Sequence, residues 1–99
     1  MIDLLSKIYV DLNEHVIRKV PHDKEILSTR IIKEHTKICE YCFNIESSNK
    51  DKNYMLEFKV SIKYILFILN YFISKKIINN DVYKIIEKEY KDLYYIINP

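Results

Sequence analysis

Apolar residues recur at helical spacing in four stretches of this 99-residue chain, separated by breaks that carry proline, asparagine or runs of polar residues. In the first stretch Ile2, Leu5, Ile8, Tyr9, Leu12, Val16 and Val20 share a face. Pro21 disfavours helix in the residue before it, so a helix is predicted over about 2–19. Asp23 is suited to cap a second helix, about 23–45, with Ile26, Leu27, Ile31, His35, Ile38, Cys42 and Ile45 inward and Arg30, Lys33, Glu34 and Lys37 outward. The run "ESSNKDKN" over 46–53 has nothing apolar to bury and reads as a loop. A third helix follows over about 54–76, closed by Lys75 and Lys76 at the negative end of its dipole. Asn79 or Asn80, with Asp81, then suits the start of a fourth over about 81–97, with Val82, Ile86, Leu93 and Ile97 inward. Short connections between helices of this length favour antiparallel neighbours, so the expected fold is all-α, an antiparallel up-and-down four-helix bundle forming a single domain over 1–99.

The third helix departs from simple amphipathicity. Phe58, Ile62, Ile65, Leu69 and Phe72 form one apolar stripe, and Val60, Tyr64, Phe67 and Tyr71 form a second about 160° round the helix. One neighbouring layer covers only the first, so the second is expected to meet a further layer of helices or another molecule. Tyr83, Tyr90 and Tyr94 flank the apolar face of the fourth helix and extend the same tyrosine-rich theme. Tyrosine at a bundle rim packs its ring while its hydroxyl reaches water, and it is also enriched in interfaces. Val60, Tyr64, Phe67, Tyr71, Tyr83, Tyr90 and Tyr94 are therefore the candidate interface residues.

Composition narrows the chemistry. The chain has no glycine and no alanine, which removes phosphate-binding glycine loops and glycine caps, and leaves Asn to supply positive φ. Sixteen basic and 14 acidic side chains are interleaved, for a net charge of +2, too weak a bias to imply a polyanion partner. The start has no basic-then-apolar leader pattern, so an intracellular location is expected. Lys59, Lys63 and Asn70 run a polar line through the most apolar helix, against a membrane span.

Candidate sites are few. His35, Cys39 and Cys42 read HxxxCxxC within one helix, and a zinc site there would need a fourth ligand from His15, His22 or a carboxylate. The alternative is a core histidine and cysteine with a half-exposed second thiol, both cysteines reduced. Asp3, Glu14 and Glu87 each precede Lys7, Arg18 and Lys91 by four residues, the orientation of surface ion pairs. Glu89 is the one acidic residue on the apolar face of its helix, where it is buried against a base such as Lys63 or His35 or, as is commoner for such a residue, lies at the margin of the stripe. With no nucleophile signature and no cofactor motif, no enzyme, metal or cofactor is expected. The best basic cluster for a small DNA-binding regulator is Arg18, Lys19, Lys24 and Arg30 around the Pro21 turn.

The bias toward Ile, Lys, Tyr and Asn in "YILFILNYFISKKIINN" and "VYKIIEKEYKDLYYIINP" resembles the small open reading frames of archaeal filamentous viruses, the lipothrixviruses of Acidianus. The resemblance implies a viral accessory protein in the cytoplasm of a hot-acid host and a heat-stable fold, and it carries no site residue. AT-rich poxvirus chains share the bias, but their helical Bcl-2-like modulators use six or seven helices and normally a longer chain. The expected function is a helical protein–protein interaction module, partnered by a second copy or a host factor, with no membrane partner; the alternative is a small DNA-binding regulator that uses the basic cluster around the Pro21 turn.

Overall fold

The computed structural model describes residues 1–47 and 52–98, which form four α-helices and no strand. Helix α1 spans Ile2–His15, α2 Glu25–Ser47, α3 Lys52–Ser74 and α4 Asn80–Ile97. Of the predicted loop over 46–53, residues 48–51 lie outside the described residues, and the positions on either side continue the helices.

Pro21 acts one turn earlier than expected. Val20 is extended (φ −78°, ψ 126°), as the residue before proline must be, and the chain ahead of it tightens into a 3₁₀ turn, Ile17–Lys19. Lys19 and Val20 donate their N–H groups three residues back, to Val16 and Ile17. Beyond the proline a second 3₁₀ turn, His22–Lys24, leads into α2, with Asp23 inside that turn and not capping the helix. At α4 the cap is Asn79, whose side-chain oxygen accepts from the Val82 N–H at 3.0 Å.

The α3 end replaces glycine with a lysine. Ile77 N–H bonds the Phe72 carbonyl and Lys76 N–H bonds that of Ile73, both at 2.9 Å, the pairing of a Schellman cap. Lys76 takes the left-handed position at φ 60°, which the composition reserved for Asn.

The core joins all four helices: Leu5, Ile8, Leu12 and Val16 meet Ile31, Ile38 and Cys42 of α2, Phe58, Ile65, Leu69 and Phe72 of α3, and Ile86, Leu93 and Ile97 of α4. Helix α2 packs most extensively on α3, and α1 on α4. Several inward assignments change. Ile2 and Ile26 are exposed and Tyr9 is half-exposed, with Ile2 and Tyr9 at a recess between α1 and α2, and Val20, Leu27, Ile45 and Val82 are half-buried. Ile62 is only half-buried, while Ser61 and Ile68 are buried, since α2 closes over one side of α3.

Candidate interaction surface

Among the described residues, three of the four positions in the second apolar stripe of α3 stay exposed. Phe67 is 71% exposed, Val60 53% and Tyr64 39%, and Tyr71 lies half-buried at the α2 side. Leu27 of α2 joins Phe67, Ile68 and Tyr71 around a recess of about 190 Å³ between the two helices. The tyrosines are held in place by cations. The Arg30 guanidinium lies 4.6 Å from the Tyr64 ring centroid, and the Lys24 and Lys75 ammonium groups each lie 5.8 Å from that of Tyr71.

Arg30 is itself anchored by Glu34, which sequence periodicity placed outward and which is buried. Glu34 accepts from the Ser61 hydroxyl at 3.2 Å and pairs with Arg30 and Lys37, each at 3.3 Å. A short serine on α3 lets the helices approach, and two cations together with a hydroxyl offset the cost of burying the carboxylate.

The α4 tyrosines separate. Tyr83 and Tyr94 are half-buried at the surface, Tyr83 donating to Glu87 at 3.4 Å and Tyr94 accepting from the Asn98 amide at 2.9 Å. Lys59 lies 5.3 Å from the Tyr94 ring centroid. Tyr90 does not belong to this surface: it is 1% exposed, at the centre of the core. Its hydroxyl lies 2.8 Å from Nδ1 of His35, whose Nε2 lies 3.2 Å from the Leu5 carbonyl. A carbonyl only accepts, so Nε2 carries the proton and the Tyr90 hydroxyl donates to Nδ1. Burial holds His35 below its ordinary value, favouring this neutral form.

Both ring nitrogens of His35 are thus engaged. Cys42 is buried and Cys39 half-buried, with burial raising the Cys39 thiol away from its reactive thiolate. His15 and His22 are exposed, and among the described residues no three His, Cys, Asp or Glu side chains group as metal ligands.

Glu89 is buried and not at the margin of the stripe, and its partner is neither Lys63 nor His35 but Lys7 at 3.1 Å, with Lys7 also bonded to Asp11 at 2.9 Å. Lys7 therefore pairs with Asp11 and Glu89 and not with Asp3, because it leans along α1 toward α4. Burial pushes the Glu89 carboxyl up to about 6, helped by the neighbouring Asp11 carboxylate and opposed by Lys7. The expected pairs Glu14–Arg18 and Glu87–Lys91 are present at 3.0 and 3.9 Å.

The basic cluster around Pro21 is largely neutralised in place. Arg18 pairs with Glu14, Arg30 with Glu34, and Lys24 lies 3.9 Å from Asp23. Among the described residues no helix is long and apolar enough to cross a membrane.

The chain is therefore an all-α four-helix protein whose α3 carries an outward aromatic stripe; Ile2, Tyr9, Val10 and Phe43 form another exposed apolar patch, around a recess between α1 and α2. No protein-family model, curated protein or solved structure matches the chain.

Proposed function

We propose that this protein is a non-catalytic helical module that binds another protein chain, a second copy or a different partner, through the outward stripe of α3. The carrying observation is Phe67, exposed at 71% in the middle of a continuous face with Val60 and Tyr64. Exposed apolar residues scattered singly need no explanation, but a contiguous aromatic stripe marks an interaction site. Phe67 and Tyr64 also touch each other, ring centroids 6.5 Å apart, so they present one surface. The viral accessory setting belongs to the same proposal and rests on the composition alone.

The finer architecture of the reading is an antiparallel up-and-down bundle. Its support is the order of side-chain partners between α2 and α3: Arg30 with Tyr64, Glu34 with Ser61, Tyr41 with Glu57 and Asn44 with Tyr54. Partner numbers fall as α2 advances, as neighbours of opposite direction require. This arrangement leaves the edge of α3 beside α2 facing outward, where the stripe lies.

Phe67→Asp tests the interaction reading. An exposed phenylalanine contributes little to the fold, so the variant should keep wild-type helicity by circular dichroism. A charge in a desolvated interface should abolish association, read as a loss of complex mass by light scattering of the chain alone or with its co-purifying partner. Unchanged association would end this reading.

A further inference from the structure

The rim of the α3 stripe is cationic on both sides. Toward α2 stand Lys75 over Tyr71, and Lys24 and Arg30 over Tyr71 and Tyr64, each of these two already facing a carboxylate, Asp23 at 3.9 Å and Glu34 at 3.3 Å. Toward α4 stand the exposed Lys59 and Lys63, which line the cleft between α3 and α4. Glu34 is buried beneath Arg30 and Glu87 pairs with Lys91, whereas Glu57 accepts from the Tyr41 hydroxyl at 2.9 Å and keeps its negative charge. Lys59, Lys63 and Lys75 have no ion pair among the described residues.

We propose that the stripe receives an amphipathic helix of a different protein, with apolar anchors flanked by Asp and Glu. The inference rests on the interaction reading above and names the chemistry of the partner. From Val60 to Tyr71 the stripe runs for about 16 Å, the length of three helical turns, so partner anchors at i, i+4, i+7 and i+11 match it. The recess between Leu27, Phe67, Ile68 and Tyr71 takes one anchor side chain. The flanking cations then meet the partner's carboxylates.

Charge decides against a second copy. A two-fold self-contact would lay this basic rim on itself, and like charges across an interface cost several kcal/mol. Single-stranded nucleic acid binds by stacking successive bases on open ring faces, and of the stripe's three rings only Phe67 has no cation over it, so the stripe offers no succession of open faces. A lipid surface favours an apolar ridge pushed into the headgroups, and here the anchor position beside Phe67 is a recess.

The test displays 16-residue helical peptides with the four anchor positions apolar and the flanks randomised among Glu, Gln and Lys, selected on the full chain. Glu-flanked sequences should enrich. The best of them should bind Lys63→Glu/Lys75→Glu at least tenfold more weakly, with helicity unchanged, and adding salt should weaken its binding to wild type. Enrichment of Lys-flanked or neutral peptides, or no enrichment, overturns the acidic partner. So does displacement of the selected peptide by oligo(dT) or by vesicles of phosphatidylcholine and phosphatidylglycerol. If Phe67→Asp abolishes association while the lysine reversals have no effect, the acidic partner falls and the interaction reading stands. If Phe67→Asp leaves the selected peptide bound, both fall.

Discussion

Replacing Tyr90 with phenylalanine removes a single oxygen from the middle of the core and should destabilise the protein by about 1 to 3 kcal/mol. The magnitude comes from what the oxygen leaves behind. Its hydroxyl donates at 2.8 Å to Nδ1 of His35, which is 2% exposed, so the bare nitrogen would lose its partner where water has little access. His35→Leu exposes the reciprocal fault by stranding the tyrosine hydroxyl. It does not strand Leu5, whose carbonyl lies inside α1 and accepts a helical N–H as well. The double variant His35→Leu/Tyr90→Phe removes both polar partners together and should be markedly more stable than the sum of the two single losses implies. Urea unfolding followed by circular dichroism measures all four proteins, and each kcal/mol corresponds to roughly 4 to 8 °C in Tm at this size. Additivity within about 0.5 kcal/mol would refute the coupling. A pH series adds a second check. Burial lowers His35 in the folded state, so its contribution is intact above the unfolded value of 6.5 and is lost as pH falls through the folded one. His35→Leu should remove that acid loss.

Glu89 acts with the opposite sign: raised from 4.5 to about 6, its contribution is full below pH 4.5 and lost as pH rises through 6. Glu89→Gln should therefore gain about 1 kcal/mol at pH 7, after allowing for water screening at the rim, and be neutral at pH 4. Urea midpoints at the two pH values check it, and a loss at pH 7 would show that the Lys7 pair outweighs the burial cost. Lys76→Gly should stabilise by about 0.5 to 1 kcal/mol, because the left-handed position costs lysine about 1 to 2 kcal/mol and the greater freedom of glycine in the unfolded chain returns part of that. A lower Tm for this variant would mean that the lysine side chain contributes more than its backbone costs.

Periodicity alone carried the existence and approximate extent of the four helices, since spacings such as Leu5, Ile8, Leu12 and Val16 belong to one helical face whatever packs against it. The second stripe of α3 was equally legible, because Val60, Tyr64 and Phe67 sit opposite a complete inward stripe and remain exposed. Periodicity ranks faces by apolarity and contains no neighbour, so it failed where a polar group was chosen by its partner. Glu34 looked outward until Ser61, Arg30 and Lys37 converged on it, and Tyr90 looked like a rim tyrosine until His35 lay beside it, 55 residues earlier in the chain. Glu89 was marked by its place on an apolar face, but its pairing with Lys7 depends on α1 lying against α4. The same holds for the proposed surface: its apolar centre follows from the spacing within one helix, while the cations Lys24 and Arg30 come over the rings of α3 only because the turn before α2 and α2 itself pack against it. Local spacing is a property of one helix, and charge pairing across helices is a property of their packing.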